Sequence, residues 1–127
     1  MPGSPFDYAI VRIVPRIERE EFVNAGVVLH APTRRFLACA FGDDAVLDRA
    51  AALAPIDRAA VRAVLDGFRA VCAGDPAAGP IARLPVAERF HWLVAPRSTI
   101  VQTSPVHGGV CDDPPEALRR LFARLVG

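Results

Sequence analysis

Glu18-Arg-Glu-Glu-Phe-Val-Asn-Ala-Gly-Val-Val-Leu-His-Ala31 changes character faster than any other stretch of this chain. Four consecutive charged residues lead into Asn24-Ala25-Gly26 and then into an apolar run. Ile17 and Glu21 are four apart and share a helical face, so 17–23 reads as a short helical turn. Asn24 and Gly26 tolerate left-handed backbone and suit a helix stop. Gly26–Ala31 then reads as a strand, Pro32-Thr33-Arg34-Arg35 as a turn, and Phe36–Phe41 as the second strand of a hairpin.

Upstream, Tyr8–Val14 is a β-rich run stopped by Pro15, with Arg12 its sole charge. A charge in such a run needs a partner or a solvent-facing position. Downstream, Asp43-Asp44 offers an N-cap for a short helix over Ala45–Leu53. Asp57 caps a longer helix to Ala73, with Val61, Val64, Leu65, Phe68, Val71 and Cys72 on one stripe at a period of ~3.6. Pro85–Ala95 fits a short helix and Thr99–Ser104 a fourth strand. His107-Gly108-Gly109 signals a loop. Asp113-Pro-Pro-Glu116 starts a final helix with Leu118, Leu121, Phe122 and Leu125 on its buried side. Val64, Leu65, Phe68, Leu118, Leu121 and Phe122 are the expected core.

This order predicts an α+β fold: a four-stranded, mainly antiparallel sheet with helices packed on one face. The 127 residues, 52% hydrophobic, suit a single domain over 1–127, with residues 1–6 flexible. The net charge of +1 gives no anionic partner a global attraction. All fifteen basic residues are arginine, which reflects genome composition as simply as function. Cys39, Cys72 and Cys111 are widely spaced and read as free thiols. The N-terminus lacks a signal-peptide pattern and no apolar run approaches ~18 residues, so the expected location is the cytoplasm, with no membrane span.

Several of these segments together resemble the bacterial family called domain of unknown function 3037. They are Tyr8–Pro15, Glu21-Phe-Val-Asn-Ala-Gly-Val-Val-Leu29, Phe90-His-Trp-Leu-Val-Ala-Pro96 with Ser98, Gln102-Thr-Ser-Pro-Val-His-Gly108, and the closing Asp113-Pro and Leu121-Phe122. The resemblance covers nearly the whole chain except Gly3-Ser4-Pro5. It implies no activity. It implies a gene beside one for a HipA-like kinase-fold protein, and so a protein partner.

The candidate polar cluster is Arg12, Glu21, Asn24, Arg97, Thr103, Ser104 and His107. Glu21 and Asn24 are expected at the end of the second strand, within one side-chain layer of Arg12 and of Thr103–His107. Two readings follow. One is a small cytosolic accessory or interaction protein, a partner or regulator of the kinase-fold neighbour. The other is a small hydrolase or transferase with Glu21 and His107 as acid–base pair and Arg12 or Arg97 as anion clamp. Glu18 and Glu20 fit a solvated turn better than either. Arg12, Arg16, Arg34, Arg35 and Arg97 could gather at one sheet edge around an anion. Nucleic acid is disfavoured, because no aromatic residues interleave the arginines and no DNA-reading motif is present. His107 and Cys111 lack the paired spacing of a zinc site, so neither a metal nor a cofactor is expected. Oligomeric state is open at this level.

Overall fold

The computed structural model describes residues 3–127. Its elements are β1 (Ser4–Ile13), β2 (Val23–Ala31), β3 (Phe36–Phe41), α1 (Asp44–Leu53), α2 (Arg58–Ala73), α3 (Val86–Leu93), β4 (Val101–Thr103), β5 (His107–Cys111) and α4 (Pro114–Leu125). Asp43, Asp57 and Asp113 cap α1, α2 and α4 as the sequence suggested, each carboxylate accepting from a first-turn backbone N–H. Gly74 closes α2 in left-handed geometry, donating back to Ala70 and Val71.

The α+β expectation holds, with five strands where four were expected. The sheet runs β3-β2-β1, and both β4 and β5 pair antiparallel with the far edge of β1. β4 takes the C-terminal half of β1 (Ile13 opposite Val101), and β5 takes the N-terminal half (Tyr8 opposite His107, Ser4 opposite Cys111). Residues 4–6, expected to be loose, are therefore part of a paired strand. His107-Gly108-Gly109, read as a loop, is strand β5. The Phe6 ring explains the second glycine: a Cβ on Gly109 would stand 2.5 Å from Phe6 Cζ, so the strand is bare where the ring crosses it.

The stretch Glu18–Ala31 also folds differently. Ile17–Arg19 is a single 3₁₀ turn ended by Glu20 in left-handed geometry (φ 55°). β2 already starts at Val23, so Asn24, Ala25 and Gly26 lie within the strand. The register shifts there: Val11 faces Gly26 and Arg12 faces Asn24, which leaves Ala25 as the extra residue of a β-bulge. The Ala25 carbonyl accepts from Gly42 N–H instead, at 2.8 Å. Gly26 is bare because Phe41 lies over it and the Ala40 carbonyl oxygen would stand 2.7 Å from a Cβ.

Helices cover both faces rather than one. Ala9, Val11 and Ile13 of β1, Val28 of β2 and Val101 of β4 point to one side, where α1, α2 and α3 bring Leu47, Val61, Leu65, Phe68, Phe90 and Leu93. Alternation sends Phe6, Val27, Leu29 and Ala31 to the other side, under Ala117 and Leu118 of α4. Of the expected core, Leu65, Phe68 and Leu118 are buried, and Leu121 and Phe122 are half-buried. Val64 is 41% exposed, because the stripe on α2 is wider than the sheet beneath it.

Cys39 of β3 and Cys72 of α2 meet in the first core. A hydrogen bond from the Cys72 thiol lowers the Cys39 pKa and, with burial, raises that of Cys72. All three cysteines are free. His30 is buried on the same side, its ring 4.9 Å from that of Phe90. Burial lowers its pKa, against the opposing charge of Asp7 across the strand pair. A histidine held neutral in the fold takes up its proton more readily when unfolded. Stability should therefore be full above the unfolded value of ~6.5 and fall as pH drops below it, by at most ~1.4 kcal/mol per pH unit. Urea melts at pH 7 and 5.5 should show this loss in the native chain and a smaller one in His30→Gln.

Candidate functional site

Where β1, β2 and β4 end together, the sheet face that carries α4 is only partly covered. Arg12 of β1 lies between Asn24 of β2 and Gln102 of β4, all three on that face. The Arg12 guanidinium sits 4.0 Å over the ring of Phe22, which is 42% exposed. Asn24 Nδ2 donates to the Leu125 carbonyl at 3.0 Å and so fastens the last turn of α4 to β2.

Two polar atoms in this corner stand out. Arg12 Nε and Asn24 Oδ1 are buried and have no hydrogen-bond partner among the described residues. One is a donor and one an acceptor, and they belong to residues directly opposite each other. The bulge at Ala25 produces this: it puts Asn24, rather than Ala25, across from Arg12.

The other expected members of the cluster go elsewhere. Glu21 is held by Arg19 (Nε to Oε1, 2.5 Å), which lowers its pKa by hydrogen bond and by charge. His107 is exposed, with its ring 5.4 Å from that of Tyr8. Tyr8 is four residues from Arg12 along β1, or ~13 Å at the rise of a strand. Ser104 is architectural. Its hydroxyl accepts from Ile10 N–H at 2.9 Å and its own N–H donates to the Ile10 carbonyl at 2.8 Å, so it bridges the step from β4 to β5. Thr103 and Arg97 serve the opposite face of the sheet. Thr103 Oγ1 donates to the Val94 carbonyl. Arg97 lies between Phe68 and Trp92, 5.1 and 5.0 Å from their ring centres, and burial lowers its pKa. The structure thus brings Arg12 and Asn24 together and keeps Arg97, Thr103 and His107 apart from them.

The five arginines do not gather either. Arg34 reaches Ser4 Oγ and the Asp112 carbonyl beside the start of β1, and Arg12 is eight residues farther along, ~26 Å in extended chain. Among the described residues no group of three or more His, Cys, Asp and Glu side chains could hold a metal ion, and no helix is long and apolar enough to cross a membrane.

Phe22 and Gln102 are the members that the sequence reading missed. Phe22 had a signal: it stands two residues before Asn24, the spacing that shares a face in extended chain. Gln102 had none, since its role comes from β4 pairing with β1.

No curated protein and no solved structure matches this chain. A family model does match, over residues 8–126, and both the bulged β2 and the β4–β5 step lie within that span. The chain belongs to the family described as Protein of unknown function (DUF3037).

Proposed function

We infer that this protein is a small accessory protein that binds a protein partner through the corner formed by Arg12, Phe22, Asn24 and Gln102. The partner in this reading is the HipA-like kinase-fold protein that the family resemblance implies as a gene neighbour. The orphaned donor and acceptor beside an exposed arginine–aromatic stack carry the reading. Buried polar groups almost always have partners, and one left without costs ~1–3 kcal/mol. A peptide group from a partner complements both atoms once the groups that cover them in the free chain shift on binding: its carbonyl accepts from Arg12 Nε, and its N–H donates to Asn24 Oδ1. An arginine stacked on an exposed aromatic is also the kind of pair that dominates binding energy in protein interfaces.

The hydrolase or transferase reading needs Glu21 and His107 within hydrogen-bond reach of one reacting group. Glu21 is engaged with Arg19 and His107 with Tyr8, so no observation favours it.

Co-purification of this chain with the kinase-fold protein tests the proposal. Phe22→Ala should weaken the complex by ~30-fold or more, the scale of a hot-spot residue at ~2 kcal/mol, with the melting temperature unchanged. Glu21→Gln should leave the fold intact and weaken binding if Glu21 belongs to the contact. No complex, or a complex indifferent to both Phe22→Ala and Arg12→Ala, would overturn it.

A further inference from the structure

On the sheet face opposite the Arg12 corner, α2 and the chain between α3 and β4 line a half-open hollow of about 490 Å³. Its walls are Val64, Phe68, Val71, Trp92, Ile100 and Arg97, and Arg97 is the sole charged residue among its lining. Its size lies within the ~300–1,000 Å³ of small-molecule sites, and its make-up suits one, mostly apolar walls with a single charged anchor.

The anchor is built in place. Arg97 is clamped between two aromatic rings and donates to the Leu93 and Trp92 carbonyls at 3.3 and 2.8 Å. Those bonds use two of the five guanidinium N–H donors and leave three for a ligand. Arg97 has no carboxylate partner among the described residues. A guanidinium held in place and partly shielded from water fits a carboxylate oxygen pair.

Gly67 is the second, independent observation. It lines the hollow from the middle of α2, where glycine costs ~1 kcal/mol relative to alanine. A Cβ there would meet nothing within 4 Å, so packing does not require its absence. A side chain at this position would stand in open space at the rim of the hollow. Val64 and Trp92, 41% and 39% exposed, leave apolar surface open on either side of it.

We propose that this hollow is a binding site for a small amphiphilic monocarboxylate, with its apolar body against Val64, Gly67, Phe68 and Ile100 and its carboxylate on Arg97. One cation without other charges in the lining matches one negative charge. Apart from Arg97 and Thr99, whose hydroxyl is already bonded to the Val101 carbonyl, the side chains of the walls offer an apolar body hydrocarbon and aromatic surface. The site is distinct from the Arg12 corner, so its test does not depend on any protein partner.

Trp92 is the only tryptophan of the chain and reports directly on the site. Titration of the full chain with octanoate should give a saturable change in its fluorescence. Octan-1-ol, the same body without the charge, should bind at least tenfold more weakly. Arg97→Gln should weaken octanoate by tenfold or more and leave octan-1-ol unaffected, which erases the preference. Gly67→Leu should fill the hollow and abolish the response to both, with far-UV circular dichroism and melting temperature retained. Val64→Phe, on the exposed flank of α2, should weaken both probes in the same way if Gly67→Leu proves unstable. The proposal is overturned if octanoate gives no saturable change, if octan-1-ol binds as tightly, or if the filling variants bind octanoate normally.

Discussion

Phe68→Ala should lower the free energy of unfolding by roughly 3–5 kcal/mol, the cost of removing a buried aromatic ring and leaving a cavity. Phe68 is 4% exposed and sits at the centre of the larger core, where α2 meets β4 and α3. Its ring also supports Trp92, with centres 6.5 Å apart, and one side of the Arg97 guanidinium. The site can collapse little, because the sheet below and α3 beside it are held by their own contacts. Urea unfolding should show the loss as a lower midpoint with an unchanged slope. Phe68→Leu, which keeps most of the volume, should cost about 1.5 kcal/mol or less. A loss below ~1 kcal/mol for the alanine variant would mean that α2 does not cover the sheet.

Gly26→Val should cost about 3 kcal/mol, the upper end of the range for overpacking a filled core. The added carbons would meet the Phe41 ring and the Ala40 carbonyl oxygen. The ring has Arg69 stacked on its face at 4.8 Å, and the carbonyl is part of the β2–β3 ladder, so neither moves freely. The strain falls beside the bulge, so it should also disturb the opposition of Arg12 and Asn24. Gly67→Ala is the matched control: its new Cβ meets nothing, and helix propensity alone should raise stability by ~1 kcal/mol. If both glycine variants behaved alike, the close approach at Gly26 would be wrong. Opposite signs are expected, measured as thermal or urea midpoints.

Those two glycines also show where sequence reasoning falls short. A glycine within an apolar strand can mark a turn, a bulge or a close approach. The reading of Asn24-Ala25-Gly26 as a helix stop chose the first, while the fold uses the other two. The same holds for Gly109, whose bareness is explained only by the Phe6 ring from a strand about a hundred residues earlier. Helices were easier. The Asp caps and the i, i+3, i+4 stripe of α2 are local, and both survive in the structure.

The polar cluster divides in the same way. Arg12 stood out because it is the only charge in the run Tyr8–Val14, and this was legible. That the residue facing it is Asn24, with Phe22 under the guanidinium, depends on a bulge that shifts the register by one residue. Arg97 and Thr103 looked close to Arg12 along the chain order of elements. Strand alternation sends Thr103 to the other face, since it is opposite Val11 and not opposite Arg12, and the end of α3 holds Arg97 there.

By itself, then, the sequence determined the elements whose causes are local: capped helices, the β2–β3 hairpin, an antiparallel α+β class and a membership carried by nearly every residue. The tertiary structure alone decided what depends on distant chain. It split the edge of β1 between β4 and β5, set α4 on the opposite face from α1, α2 and α3, and placed one arginine over Phe22 and another between Phe68 and Trp92. The physical reason is the two-residue period of a strand: a single bulged residue or a single strand pairing moves a side chain to the other side of the sheet, and neither is encoded within the segment that moves.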